Sequence, residues 1–331
     1  MKNFKSITVL AACLVGQAAF ANLKIVTTTA DLASIAQAIG GNKVSATSLI
    51  SGVRDPHRIE AKPSYMSRVG GADLFIAIGL ELEVGYEQPI LSGSSNRKVA
   101  IGAPGHVYAA DFSYILEKPT GSVSRAMGDI HPYGNPHIWL DPYNGRLIAK
   151  GIENKMSTLD PANAKYYQAN LEQFIKRLDT AMFGSAAVAK FGGLQLWEWS
   201  GAGTLRSKVP DLGGWAEKMA PLAGKSIITY HRSWSYFANR FGIKVAEELE
   251  PKPGLDPTPG HLVEVIKEGA RSGVKVIVQE PFYSRRHADF VAGRIGANVA
   301  IVPMSVGQDA GATDYISLFD TIVSKVSGAL R

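Results

Sequence analysis

The chain has 331 residues, of which 46% are hydrophobic and 19% are charged, and its formal net charge is +6. This length and composition exclude a disordered chain and suit roughly two globular domains. Lysine and arginine are scattered rather than clustered, which argues against a nucleic-acid-binding protein.

Residues 1–21 have the pattern of a signal peptide. Lys2 and Lys5 supply the positive end, an apolar run follows, and Ala19 and Ala21 form a small-residue cleavage site. We therefore expect a mature protein that starts after residue 21 and is located in the periplasm.

Cys13 is the only cysteine of the chain. Leu10–Cys13 also resembles a lipoprotein cleavage box, but the apolar run before Cys13 is short and continues past it, so we favour a soluble mature protein over lipid anchoring. Cleavage after Ala21 leaves no thiol, and any metal ligands must then be histidine, carboxylate or water. No later apolar stretch is long enough to cross a bilayer, so the mature chain is not expected to be the membrane channel.

Short runs rich in valine and isoleucine alternate with helical patterns along the mature chain. This alternation predicts an α/β fold with two lobes, each with a mostly parallel sheet flanked by helices. The predicted strands are residues 23–28, 44–50, 74–78 and 99–101 in an N-terminal lobe (22–158), and 226–230, 244–246, 274–279 and 299–302 in a C-terminal lobe (191–331).

A helix is predicted between the two lobes. Asp160 is a suitable N-cap and Pro161 a suitable first helical residue. Apolar residues then recur at helical spacing from Tyr167 to Leu178, which predicts one long helix over residues 159–190. A helix is stiffer than a glycine-rich linker, so we expect lobe closure to be modest.

Residues 191–215 fit neither pattern. They contain Trp197, Trp199 and Trp215 together with several glycines. We interpret them as a long surface excursion whose tryptophans pack locally rather than bind a sugar or a partner.

Three of the seven histidines stand where they could serve as ligands. Proline precedes His57 and His137 and restricts the backbone there, while His231 follows a predicted strand, beyond whose carboxyl end α/β lobes bind ligands. A cleft between the lobes could bring these imidazoles together, and three neutral imidazoles suit Zn²⁺. Spacing alone still favours surface or packed histidines, because no close histidine pair such as H-x-x-x-H is present.

Longer motifs strengthen the metal-site hypothesis. In chain order they are Asp55-Pro56-His57, Asn135-Pro136-His137-Ile138-Trp139-Leu140-Asp141-Pro142, Thr229-Tyr230-His231 and Gln279-Glu280-Pro281. Together they resemble the zinc and manganese substrate-binding proteins of bacterial ABC importers, over nearly the whole mature chain. The resemblance implies two lobes joined by one long helix, a metal held between them by His57, His137 and His231, and no catalytic turnover.

The fourth ligand departs from the family pattern. The family usually has an aspartate just after the last strand of the second lobe, and Met304 occupies that place here. Glu280, a carboxylate at a strand end in the same lobe as His231, is our first substitute, either as a ligand or as a neighbouring carboxylate. Glu60, Asp309 and water remain alternatives.

The loop before His137 is also unusual. Many zinc-specific members carry a long tract rich in histidine and acidic residues there, whereas this chain has only a short segment with His131. We interpret His131 as a solvent-facing residue rather than a metal-transfer site. No motif surrounds His106, His261 or His287, and we leave them out of the site.

The leading functional hypothesis is capture of a divalent metal and its delivery to an inner-membrane ABC importer permease. A nitrogen-rich site favours Zn²⁺ over Mn²⁺, which prefers more oxygen donors. We expect a monomer that binds no nucleic acid. An exported zinc hydrolase is the competing hypothesis, and a binding protein for an organic solute is a weaker one.

Overall fold

The computed structural model of the protein describes residues 22–121 and 131–329. The predicted signal peptide and Cys13 lie outside these described residues. Within them the chain forms two four-stranded sheets, with the strand orders β2-β1-β3-β4 and β6-β5-β7-β8. Every strand pair in both sheets is parallel, as the sequence predicts.

The first sheet contains β1 (Leu23–Thr27), β2 (Val44–Ser48), β3 (Leu74–Ala77) and β4 (His106–Tyr108). All four residues of β3 are buried, because helices cover both faces of a parallel sheet. The predicted strand at residues 99–101 is wrong. Val99 ends a short 3-10 turn and Ile101 is 53% exposed, so the segment pairs with no strand and the chain reaches the sheet edge only at His106.

The second sheet contains β5 (Ser226–Thr229), β6 (Lys244–Glu248), β7 (Val276–Gln279) and β8 (Asn298–Ile301). The predicted strands differ from these by one or two residues at their ends. Both sheets therefore place their first strand in the interior, between the second and third strands along the chain.

Helices flank both sheets and fill the space between them. Their bounds are α1 (Ala30–Gly40), α2 (Pro63–Gly70), α3 (Glu87–Ser94), α4 (Pro142–Leu159), α5 (Ala164–Phe183), α6 (Ser185–Phe191), α7 (Gly193–Gly201), α8 (Leu205–Lys208), α9 (Gly214–Met219), α10 (Ser235–Phe241), α11 (Pro259–Arg271), α12 (Arg286–Ile295) and α13 (Tyr315–Ala329). No helix of the described residues is long and apolar enough to cross a membrane.

The predicted long helix is shorter than expected. Helix α5 ends at Phe183, and Gly184 has a φ of 85°, which ends the helix before α6 begins. Helix α5 contacts α1 and α4 and also α9 and α13, and so connects the two lobes. The division of the chain at residues 158 and 190 remains a prediction.

The Trp-rich segment is helical rather than irregular. Trp197 and Trp215 are almost fully buried, and their indole nitrogens donate to Asp179 Oδ1 (2.6 Å) and Asp320 Oδ1 (2.8 Å). Trp199 is half-buried and its ring meets Phe191 at 5.3 Å. These contacts are those of core and local packing, as expected for the tryptophans, although the segment is not a surface loop.

Candidate metal site

Three histidines converge between the two sheets. His57, His137 and His231 each present a ring nitrogen, and these nitrogens lie within 4.8 Å of one another. The Nε2 atoms of His57 and His137 are 3.1 Å apart. Two nitrogens bound to one tetrahedral Zn²⁺ at about 2.0–2.1 Å would lie roughly 3.3 Å apart. The geometry is therefore that of three donors directed at one point.

His57 lies in the loop between β2 and α2. Asp55 Oδ1 accepts a hydrogen bond from the His57 backbone N at 2.9 Å, which closes a tight turn around Pro56. The turn fixes the direction in which the His57 side chain leaves the backbone. Part of the His57 side chain remains exposed.

His137 is held by Asn135 in the same kind of turn. Asn135 Oδ1 lies 3.0 Å from the His137 backbone N and 2.9 Å from its Nδ1, so it accepts from both when Nδ1 carries the proton. The amide nitrogen of Asn135 donates to the Arg232 carbonyl at 2.9 Å, next to His231. One amide thus contacts a candidate ligand of the first lobe and the backbone of the second.

The rest of the motif around His137 also contacts the second lobe. Trp139 Nε1 donates to the Met304 carbonyl at 2.7 Å. Asp141 caps α4 through Tyr143 N and forms a two-point ion pair with Arg240, with both nitrogen–oxygen distances at 2.8 Å. The motif therefore carries a candidate ligand and forms an interlobe contact.

His231 follows β5 directly and is 4% exposed. Its Nδ1 lies 2.7 Å from Glu250 Oε2, and Glu250 is equally buried. With Nδ1 protonated and bound to Glu250, Nε2 is the nitrogen free to bind a metal.

The protonation of the three imidazoles differs between the lobes. Burial, together with the neighbouring imidazoles, lowers the pKa of His57 and of His137 well below the ordinary value of 6.5. Burial also opposes the charged form of His231, but the hydrogen bond and charge of Glu250 outweigh it and raise the pKa of His231. Two of the donors are thus neutral near pH 7, and His231 is the donor that competes with a proton.

The structure does not bring Glu280 into the three-histidine group. Its Oε1 accepts from Trp234 Nε1 at 3.1 Å, and its Oε2 is buried without a hydrogen-bond partner among the described residues. Burial raises the pKa of the Glu280 carboxyl to about 7. The alternatives are also outside the group, because Glu60 is exposed and Asp309 pairs with Lys325.

Met304 is buried in the core, and its backbone carbonyl accepts a hydrogen bond from Trp139. At the place where the resemblance implies an aspartate, the chain therefore has a buried apolar side chain.

Of the remaining histidines, one neighbours the site and three lie outside the three-histidine group. The ring of His131 lies 5.3 Å from the ring of His57, so it stands beside the cluster, although we expected a solvent-facing residue. His106 pairs with Glu87, and His261 Nε2 lies 2.9 Å from the Glu248 carbonyl. Neither of these nor His287 belongs to the three-histidine group.

Two supporting residues were not assigned roles from the sequence. Asn135 could have been found, because an Asp or Asn two residues before the histidine occurs at both Asp55-Pro56-His57 and Asn135-Pro136-His137. Glu250 carries no comparable local signal, because it lies 19 residues after His231 and meets it only through strand pairing.

Comparison with known proteins places the chain in a family. The family described as "Zinc-uptake complex component A periplasmic" (ZnuA) matches residues 25–182 and 202–329, which is most of the chain. The chain belongs to this family. Members of the ZnuA family are metal-binding components of ABC importers, so the chain is a substrate-binding protein and not an enzyme.

The names of the relatives agree on the ABC transporter, but some give manganese and others give only a metal. A "Manganese ABC transporter substrate-binding lipoprotein PsaA" of Streptococcus mitis is 24% identical over 326 residues, covering 97% of this chain and 89% of that protein. A "Metal ABC transporter substrate-binding lipoprotein" of Lactococcus lactis is 25% identical, covering 92% and 80%. Both names include lipoprotein, which counts against our preference for a soluble protein over lipid attachment at Cys13.

Solved structures share the fold. A crystal structure of ZnuA superimposes with a TM-score of 0.68 at 23% identity and covers 94% of this chain and all of that chain. A manganese-bound periplasmic metal-binding protein from Candidatus Liberibacter asiaticus gives a TM-score of 0.67 at 19% identity, with 94% and 100% covered. The predicted two-lobed α/β architecture is confirmed.

Proposed function

We propose that the protein captures Zn²⁺ in preference to Mn²⁺ outside the cytoplasm and delivers it, as a monomer, to an inner-membrane ABC importer permease. The observation that carries the proposal is the meeting of His57, His137 and His231 at one point. Two of these ligands come from the first lobe and one from the second, so a bound ion would join the lobes.

The preference for zinc rests on the donor atoms. Three imidazole nitrogens form the group, and no carboxylate of the described residues joins them. Imidazole suits Zn²⁺, whereas Mn²⁺ favours carboxylate, carbonyl and water oxygens. The manganese named for the Streptococcus mitis relative belongs to a protein only 24% identical to this one.

For the fourth position we propose Glu280. It is a buried carboxylate in the second lobe, and its charge favours protonation of His231, which places it within electrostatic range of the site. The partnerless Oε2 would gain a cation as partner if the side chain turned toward the histidines. Glu280→Gln should weaken zinc binding by at least about tenfold if the carboxylate is a ligand. An unchanged affinity would assign the fourth position to water.

The test of the function is calorimetric titration of chelator-stripped protein with Zn²⁺ and, separately, with Mn²⁺. Tight zinc binding with one ion per chain, and weaker manganese binding, is the expected result. Equal or tighter binding of Mn²⁺ would overturn the metal assignment, and no tight binding of either ion would overturn the function.

Elemental analysis of protein purified without added metal locates the ion. His57→Ala should lose the metal that the wild type retains. His287→Ala, a histidine of α12 outside the group, is the matched control and should retain it. Equal metal content in the two variants would contradict the proposed site.

The names of the relatives support lipid attachment at Cys13 as the way in which the protein is retained at the membrane. Labelling of cells with a fatty-acid analogue should modify the wild type and not Cys13→Ser. Labelling of neither protein would favour cleavage after Ala21.

A further inference from the structure

Glu250 lies beside the candidate metal site, where it contacts His231 and the loop that follows Glu250 in the chain. One of its oxygens, Oε2, lies 2.7 Å from His231 Nδ1 and also accepts from Gly254 N at 2.8 Å. The residue is 4% exposed. Burying a carboxylate costs free energy unless hydrogen-bond donors compensate, and His231 and Gly254 are the donors here.

Strand pairing brings Glu250 to His231. Beyond the ends of β5 and β6 the ladder continues for two residues, with Leu249 N donating to the Thr229 carbonyl (2.8 Å) and Glu250 N to the Tyr230 carbonyl (3.1 Å). The position of Glu250 is thus set by the sheet rather than by a mobile loop. Its carboxylate is preorganised against the ring of His231.

The loop after Glu250 reaches the other lobe. The Gly254 carbonyl accepts from Arg58 Nη2 at 3.2 Å, and Arg58 follows His57 in the chain. Arg58 Nε also lies 3.6 Å from Asp55, the residue that closes the turn around His57. A continuous series of polar contacts therefore runs from His231 through Glu250 and Gly254 to the turn that carries His57.

We propose that Glu250 is a positioning residue for metal binding, and that the loop from Glu250 to Gly254 links the ligand of the second lobe to the ligand turn of the first. This inference rests on the proposed metal site. By accepting from Nδ1, Glu250 holds the ring in the tautomer and orientation that present Nε2 to the ion. Through Gly254 and Arg58, the same carboxylate favours the arrangement in which both lobes contribute ligands.

The first test compares Glu250→Leu with Glu250→Gln by zinc titration. Leucine removes the acceptor, and zinc affinity should fall by about 10–100-fold. Glutamine can place its amide oxygen where Oε2 accepts both bonds, so its affinity should stay within about fivefold of the wild type. Glu248→Gln is the control. Glu248 is the last residue of β6 and pairs with Arg232 rather than with His231, so this variant should bind zinc as the wild type does.

Two results would overturn the positioning role. One is wild-type affinity in Glu250→Leu, and the other is a loss in Glu250→Gln as large as that in Glu250→Leu. Tight zinc binding by the wild type in the same experiment separates these outcomes from failure of the metal site itself.

A second measurement does not depend on the folding of Glu250→Leu. Nitrogen NMR of histidine-labelled wild type loaded with zinc at pH 8 should show His231 with a protonated Nδ1 and a metal-bound Nε2. Metal bound at Nδ1 would overturn the proposal.

A separate variant tests the contact between Arg58 and Gly254 that links the two lobes. Arg58→Ala leaves the contact between His231 and Glu250 intact and removes the donor to Gly254, so zinc affinity should fall by about threefold. Unchanged affinity would overturn the link and leave the positioning role of Glu250 standing.

Discussion

The two lobes share one strand order and differ in how they support the candidate metal ligands. In the first lobe, His57 and His137 stand in turns closed by the side chains of Asp55 and Asn135, and their pKa values are lowered. In the second lobe, His231 stands at a strand end against Glu250, and its pKa is raised.

The two sheets have the same strand order, but the histidines at their edges differ in protonation because different side chains contact them. Parallel sheets of the same order place loops at comparable edges. The charge of each ligand is then set by side chains that topology does not specify. The candidate ligands of the first lobe are neutral near pH 7, whereas the candidate ligand of the second lobe competes with a proton.

The largest expected effect is the loss of zinc binding when a proposed ligand is removed, and it tests whether both lobes contribute ligands. A structural zinc site contributes roughly 10–16 kcal/mol, so loss of one of its ligands should weaken binding by about 100-fold or more. We expect this loss for His137→Ala and for His231→Ala, measured by competition with a chromophoric chelator. His106→Gln changes a buried histidine of the first lobe outside the group and should bind normally. Normal binding by His231→Ala would restrict the site to the first lobe.

The second prediction concerns Asp31, a buried carboxylate of the first lobe, and the dependence of stability on pH. Unlike Glu250, Asp31 contacts only neutral donors, Ser305 Oγ (2.7 Å) and Val306 N (2.9 Å), across the lobe boundary. Burial raises its pKa from 3.8 to about 6. Because the folded pKa is the higher one, the free energy of unfolding should fall, by about 3 kcal/mol, as pH rises from about 4 to about 6.

Asp31→Asn can accept from Val306 and donate to Ser305, and should remove that pH dependence. Urea unfolding of metal-free protein at pH 4 to 7 measures it. Asp309→Asn removes a carboxylate whose pKa is lowered by Gly311 N and Lys325, and it should keep the dependence due to Asp31. An unchanged pH profile in Asp31→Asn would contradict the assignment.

The third prediction is the proton released by metal binding. Only His231 has a raised pKa among the three ligands, so zinc should displace one proton at slightly acid pH and affinity should fall by about tenfold per pH unit below that pKa. In metal-free protein the pairing of protonated His231 with Glu250 stabilises the fold at low pH, and this stabilisation is lost as pH rises through the raised pKa.

Calorimetry in two buffers of different ionisation enthalpy counts the protons. Release of about three would show that the first-lobe histidines are also protonated, and release of none would contradict the raised pKa of His231.

The smallest expected effect concerns Trp197 and Trp199, which should contribute to the free energy of unfolding and not to zinc affinity. Trp197→Phe loses a buried hydrogen bond to Asp179 and should cost about 1–2 kcal/mol. Trp199→Phe, at a half-buried position, should stay within about 0.5 kcal/mol. Thermal unfolding separates the two variants. A changed zinc affinity in either one would give this segment a functional role.

Much of the fold was predictable because its signals are local. Seven of the strand positions follow from runs of valine and isoleucine, and Asp141-Pro142 begins α4 as an N-cap and first-turn proline should. The strand predicted at 99–101 failed because a short apolar run does not show whether it finds a partner. The predicted helix over 159–190 was too long because α5 ends before Gly184, whose positive φ cannot be predicted from the spacing of apolar residues.

By itself the sequence determined that the chain is an α/β protein with three histidines in contexts that suit metal binding, and with Met304 at the place where the resemblance implies an aspartate. Only the tertiary structure decided that these imidazoles meet, that no carboxylate of the described residues joins their group and that Glu250 contacts His231. The reason is that ligand geometry depends on contacts between residues 19 to about 170 positions apart in the chain, such as His231 with Glu250 and His57 with His231, which strand pairing and lobe packing create.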